Sequence, residues 1–231
     1  PMVNVTLPRP VRIGVVGLGD FGRLHALTLA GLAEAHLVAL VARRQASLDA
    51  LAAELPGVPG WLDLDRAVAE SGAEAWVVAA STASHVPLAS RLLSAGLPVL
   101  VEKPLAPDLA EAERLAPLVA PGSADLMLGH ILLFGSEFRR LQAELHGRPA
   151  PTHIACTRHR PADTLRRYPG ESPLHLLMVH DLYVTLAVIG RRDPVAASAQ
   201  FHYTPEGECD LALAQLRWDD GLLASFQASF L

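Results

Sequence analysis

Lysine is nearly missing from this 231-residue chain: its nineteen basic residues are arginines except for Lys103. A guanidinium stays charged in any protein setting whereas an amine can be tuned in pKa, so composition alone draws attention to that position. Cysteine is scarce too. Cys156 and Cys209 stand far apart without metal-ligand spacing, which excludes a disulfide-stapled fold, gives no metal site and fits reduced thiols in a cytoplasm. Basic runs stop at two residues and the net charge is −5, so neither nucleic acid nor an anionic membrane is indicated as a partner. No apolar run is long enough to span a membrane, and the N-terminal PMVNVTLPRP lacks the charged-then-apolar layout of a signal peptide. What the chain has instead is 51% hydrophobic content, enough for the core of one large domain or two small ones.

That content is organised first around Arg12 to His25, RIGVVGLGDFGRLH. Val11 to Val16 is a short, β-branched apolar run that predicts a buried strand and leads into Gly17-Leu18-Gly19-Asp20-Phe21-Gly22. A helical pattern follows, with Leu24, Leu27, Leu29 and Leu32 assigned to its apolar side. GxGxxG thus lies at a strand-to-helix turn. Gly17 takes the tight turn, Gly19 lets the backbone approach a pyrophosphate, Gly22 permits close packing of helix on strand, and the helix start offers free N–H groups. A dinucleotide is the expected ligand, with Asp20 and Phe21 beside it. A second strand, His36 to Val41, and a second helix, Ser47 to Leu55, complete a βαβ unit. An acid at the end of this strand often binds the ribose 2′-OH; here Ala42 holds the place and Arg43 and Arg44 follow, which favours a 2′-phosphate, and so NADP over NAD.

The alternation continues through Trp61-Leu62, a helix from Asp65 to Ser71, and a strand from Ala75 to Ala80. A polar turn, Ser81 to His85, opens a helix through Ser94, and the strand Val99 to Val101 ends at Glu102-Lys103-Pro104. This order predicts a Rossmann-type, doubly wound parallel sheet, with the polar turn and the lysine at the carboxyl ends of strands, where such sheets bind ligands. Asp108 and Glu111 have capping-box spacing, and Asp125 to Gly129 is a last strand candidate. Pro117 to Ser123 is the expected hinge between a dinucleotide domain over 1–124 and a smaller α+β domain over 125–231. In the latter, Phe138, Leu141 and Leu145 mark a helix, Thr152 to Arg158 a strand, Pro161 to Pro173 a polar loop, and Leu174 to Ile189 a helix stopped by Gly190. Strand candidates Val195 to Tyr203, Asp210 to Trp218 and Leu222 to Leu231 complete it. Asp219-Asp220-Gly221 is a hairpin signal, so the sheet is expected to be mainly antiparallel. Without a covering helix its open face is expected to carry a homodimer or higher homo-oligomer.

With these segments in hand, the chain resembles the Gfo/Idh/MocA family, the glucose–fructose oxidoreductase and inositol dehydrogenase group. The resemblance rests on GVVGLGDFGRLH, on HVPLASRLLSAGLPVLVEKPL from His85, on the VHDL segment around His180, and on the hairpin LALAQLRWDDGLLASFQASF. It implies an NAD(P)-dependent oxidoreductase acting on a sugar, inositol or related polyol, with Lys103 and His180 as catalytic groups. His180 fits acid/base work, and Lys103 fits stabilisation of the developing alkoxide, or the role of base if burial depresses its pKa. Ser81, His85, Glu102 and Lys103 join the glycine loop as cofactor contacts. His130, Tyr168, His175 and Asp181 are substrate candidates, with His159, Arg166 and Arg167 as further polar neighbours. Three departures from the family pattern stand out. Leu176 occupies the place of an aspartate that orients the histidine, Ala80 and Ser81 replace a threonine and a proline, and the chain stops at Leu231 where relatives continue. The alternative they raise is a dinucleotide-binding sensor or regulatory protein that has lost turnover.

Overall fold

A computed structural model describes residues 9–119, 121–190 and 192–231. The segment before Arg9, with its signal-peptide expectation, and position 120 of the expected hinge lie outside the described residues. The chain divides into two compact units, Pro1–Gly129 and His130–Leu231.

In the first unit, strands β1 (Val11–Val16), β2 (Ala35–Val41), β3 (Gly60–Trp61), β4 (Ala75–Val78), β5 (Val99–Val101) and β6 (Leu126–Leu128) pair in the order β3-β2-β1-β4-β5-β6. All the pairings are parallel. Because successive side chains on a strand point to opposite faces, Val15 and Val77 enter one core while Val16 and Val78 enter the other. Helices α1 (Asp20–Ala30) and α2 (Gln45–Ala52) cover the first core through Ala26, Leu48 and Leu51. Helices α3 (Leu64–Ser71) and α4 (Thr82–Ser94) cover the second through Leu64, Ala67, Val86, Ala89 and Leu92. A short α5 (Leu109–Glu113) follows, its first turn capped by the Asp108 carboxylate, which accepts from the Glu111 N–H at 2.9 Å. Gly14 is required because the Trp76 ring lies 2.5 Å from where its Cβ would stand.

Some expectations shift. Leu24 and Leu32 are 55% and 46% exposed, whereas Gly22 and Ala26 are buried and Leu27 and Leu29 pack against the core. Helix α2 ends at Ala52 rather than at Leu55, whose N–H instead closes a turn on the Leu51 carbonyl.

The second unit contains α6 (Ser136–Leu145), β7 (His153–His159), a one-turn α7 (Thr164–Arg167) inside the expected loop, α8 (Val179–Ile189), and strands β8 (Ala196–Tyr203), β9 (Cys209–Arg217) and β10 (Leu223–Ser229). Its sheet runs β7-β10-β9-β8, antiparallel except for the β10–β7 pair. Trp218, Phe226 and Phe230 pack with Leu177 and Met178 to form its core. Leu174 to Ile189 is not one α-helix: its first five residues, Leu174–Met178, form a wide π-turn before α8 begins. The exposed sheet face carries Thr157, Ser198, Gln215 and Gln227 beside Leu213 and Leu223.

Candidate functional site

The glycine turn sits where β1 ends, between β2 and β4, at the point where the strand order reverses. Its three glycines do different work. Gly17 has φ +89°, and a Cβ there would stand 2.6 Å from the Ala79 carbonyl oxygen and the Ala80 nitrogen. A Cβ on Gly22 would lie 1.7 Å from the Gly17 oxygen, so helix and turn touch backbone to backbone. Gly19 is the opposite case, with no atom within 4 Å of its Cβ position. The outer edge of the turn is therefore open to a ligand while the inner side is closed. Gly19 is the N-cap of α1 and supplies no side-chain cap, and the first helical hydrogen bond runs from the Arg23 N–H to the Gly19 carbonyl. The N–H groups of the first turn thus suit a pyrophosphate, and the residues fit a dinucleotide. Asp20 and Phe21 are exposed at this helix start. Arg43 and Arg44 are exposed just beyond β2, and neither makes an ion pair among the described residues, while Ala42 is buried.

At the mouth of β5, the Glu102 carboxylate accepts from His25 Nε2 at 2.7 Å and from the Lys103 N–H at 3.2 Å. Burial pushes this carboxyl up, but the His25 hydrogen bond, the neighbouring charges and the backbone donor outweigh it and hold it below the usual carboxylate range. His25 belongs to α1, so the pair ties the dinucleotide helix to the peptide that carries Lys103. The next peptide, Lys103-Pro104, is cis. His85, only 1% exposed, brings Nδ1 within 2.8 Å of the Pro104 carbonyl and Nε2 within 3.0 Å of the Ala80 carbonyl. Enclosed in this way, the ring braces the lysine loop against the turn that opens α4. Ser81 is exposed at that turn, its hydroxyl 3.0 Å from that of Ser84. Ser81, Glu102 and Lys103 therefore gather at the carboxyl edge of the sheet with the glycine turn.

In the second unit, His180 Nδ1 lies 2.8 Å from the Tyr183 hydroxyl, which accepts the Leu132 N–H at 3.2 Å. His130 stacks on the other side of the tyrosine, ring centroids 4.1 Å apart and planes 13° from parallel. His130 thus joins His180 through Tyr183, a residue that sequence reasoning missed although its position one helical turn after His180 was a usable signal. Asp181 is engaged within the fold. It is 8% exposed, and its carboxylate accepts from Arg158 Nη2 at 2.7 Å and Nε at 3.2 Å, joining α8 to β7. Cys156 lies nearby on β7, where burial pushes its thiol up, as in an unreactive structural cysteine. His175 is exposed within the π-turn and Tyr168 follows α7.

Known proteins share this architecture. Residues 11–130 match the Gfo/Idh/MocA family, described as an oxidoreductase family with an NAD-binding Rossmann fold. Inositol 2-dehydrogenase 1 of Saccharopolyspora erythraea is 35% identical over 75% of this chain and 53% of its own length. UDP-N-acetylglucosamine 3-dehydrogenase GnnA of Acidithiobacillus ferrooxidans superposes with a TM-score of 0.85 at 28% identity, covering 95% of this chain and 70% of that one. GenD2 from gentamicin A biosynthesis, solved in complex with NAD, gives 0.84 at 25% identity, with 98% of this chain and 67% of the other covered. The chain spans about half the length of the first curated relatives it matches, 53% and 41%. Since the matched segment carries both the glycine turn and Glu102-Lys103-Pro104, and makes up more than half of the sequence, the chain belongs to the Gfo/Idh/MocA oxidoreductase family.

Proposed function

We propose that this chain is an NAD(P)-dependent dehydrogenase or reductase that exchanges a hydride between a nicotinamide and a carbinol or carbonyl carbon of an inositol, sugar or related polyol. The observation that carries the reading is Lys103, fixed at the carboxyl edge of the sheet whose first turn is the glycine cradle. Relatives named as inositol and sugar-nucleotide dehydrogenases support the substrate class. In this reading Gly17, Gly19, Gly22 and the start of α1 hold the pyrophosphate, and the bound nicotinamide gives or takes the hydride. Lys103 fits stabilisation of the oxygen that loses its proton, or the role of base, and His180 fits acid/base exchange. The test supplies NADH or NADPH with a panel of inososes and keto-sugars and follows nicotinamide absorbance. Turnover of at least one member is expected; cofactor binding with no turnover across the panel would replace this reading by that of a dinucleotide-binding protein.

The preferred cofactor is NADPH. Ala42 leaves no carboxylate to take a ribose 2′-OH or to repel a 2′-phosphate, and the exposed guanidinium groups of Arg43 and Arg44 stand next to it. Fluorescence titration is expected to show tighter binding of NADPH than of NADH. Arg43→Ala should narrow the gap by about 1–2 kcal/mol, the scale of a charge-assisted hydrogen bond. Equal affinities in the unsubstituted protein would remove the preference.

A further inference from the structure

We propose that the Glu102 carboxylate is a fixed negative charge that selects the oxidation state of the cofactor, favouring the cationic oxidised nicotinamide over the neutral reduced ring. The inference rests on the dinucleotide site proposed above and uses residues of the first unit alone.

Glu102 is a partly buried acid to which the proposed function gives no chemical step. A carboxylate taken out of water loses hydration, and donors must replace what it loses. Three elements converge on this one. His25 of α1 brings Nε2 within 2.7 Å of Oε1, the Lys103 N–H donates to Oε2 at 3.2 Å, and the residue after β6 is Gly129, where a Cβ would stand 3.1 Å from the carboxyl carbon and from Oε2. A side chain at 129 would push the carboxylate aside. The donors keep the group ionised, since together with the neighbouring charges they hold it below the usual carboxylate range in spite of its burial, and 16% of its side chain remains exposed. A glutamine here would still offer the Lys103 N–H an acceptor. What the acid adds to that bond is a charge that cannot swing away.

Strand order says which part of the ligand meets that charge. β2, with Arg43 and Arg44 just beyond it, lies on one side of the glycine turn, and β4 and β5 lie on the other. A dinucleotide that crosses this switch point, with its pyrophosphate on the first turn of α1 and its adenosine ribose at the end of β2, carries its nicotinamide half to the β4–β5 side. Glu102 stands at the end of β5. Oxidised and reduced cofactors share both phosphates, both riboses and the adenine, and differ by a hydride and by one positive charge on the nicotinamide ring. A pinned carboxylate on that side therefore acts on the difference between the two forms. By linkage, the factor it adds to binding of the oxidised form also shifts the bound redox equilibrium toward that form.

Equilibrium titration of the full chain at about pH 7.5, where carboxyl groups are ionised, supplies the test. NADPH is followed by its fluorescence and NADP+ by displacement of NADPH, with NADH and NAD+ in parallel, and the ratio of the oxidised to the reduced dissociation constant is compared among variants. Glu102→Gln keeps the size of the side chain and removes its charge, and should weaken the oxidised form relative to the reduced one by about five- to tenfold. Glu102→Asp keeps the charge and shortens its reach, and should leave the ratio within about twofold of the unsubstituted value even where both affinities fall together. Glu102→Ala stands in if Glu102→Gln does not fold, and should move the ratio in the same direction. A ratio unmoved by removal of the charge, or moved as far by Glu102→Asp as by Glu102→Gln, overturns the proposal and leaves the oxidoreductase reading in place. The expected change of ratio in a chain that turns over no member of the substrate panel sinks the oxidoreductase reading and leaves the role of Glu102 standing. Binding of neither cofactor pair removes both.

Discussion

Lys103→Arg is expected to lower turnover nearly as far as Lys103→Ala, by ~10²–10⁴-fold, the range that positioned proton transfer contributes. Arginine keeps the positive charge and reaches at least as far as lysine, so a purely electrostatic role would survive the exchange in large part. A role that needs a neutral amine would not, because guanidinium does not deprotonate in proteins. The surrounding geometry makes the comparison clean. The Lys103 N–H is held by Glu102, the Pro104 carbonyl by His85, and Glu102 by His25, so the backbone that presents the side chain is fixed by groups other than the side chain itself. Single-turnover oxidation of bound NADPH measures the chemical step, and a parallel titration should show cofactor affinity changed by less than about threefold, since the glycine cradle is untouched. A Lys103→Arg rate within a few-fold of the unsubstituted rate would rule out a role for Lys103 that needs a neutral amine.

The fold was legible because its signals are local. Strand, glycine turn and helix follow within twenty residues, and the strand-helix alternation up to Leu128 leaves a parallel sheet as the natural solution. The hairpin at Asp219-Asp220-Gly221 was legible for the same reason: Gly221 takes φ +88°, and the Leu222 N–H donates to the Asp220 carboxylate at 3.2 Å. Lys103 drew attention through its rarity. What sequence reasoning missed depends on partners far along the chain. Asp181 looked available until Arg158, twenty-three residues earlier, took its carboxylate. His85 looked like a ligand contact because it stands in a polar turn, but its two nitrogens face the carbonyls of Pro104 and Ala80. The absence of an aspartate at Leu176 was weighed with α-helical spacing, yet the segment before His180 is a π-turn, where a residue four positions earlier no longer lies directly above it. The hydroxyl that meets His180 comes instead from Tyr183, one turn later on the regular helix.

Gly22→Ala and Gly19→Ala, one methyl group each and three residues apart, should differ in their effect on stability and agree in their effect on the ligand. At Gly22 the new carbon would lie 1.7 Å from the Gly17 carbonyl oxygen and 2.8 Å from its carbon. Those are backbone atoms, and no rotamer change can relieve the clash. Either α1 lifts from β1 or the turn at Gly17 opens, and both disturb the packing of Ala26 against the sheet. Overpacking of this kind costs about 1–3 kcal/mol, and more where neighbours cannot move, so the thermal midpoint of the first unit should fall by several degrees. At Gly19 the methyl meets nothing within 4 Å, and the N-cap conformation there, φ −76° and ψ −166°, is open to any residue. Its thermal midpoint should stay within about a degree or two. Dinucleotide affinity should nevertheless fall in both variants, through displacement of the cradle in the first and through a methyl group standing where the pyrophosphate approaches in the second. Thermal denaturation and NADPH titration of the two proteins side by side separate the effects. A Gly19→Ala protein that is stable and binds NADPH as tightly as the unsubstituted chain would mean that the dinucleotide does not pass over this turn, and the assignment of the cradle would fall with it.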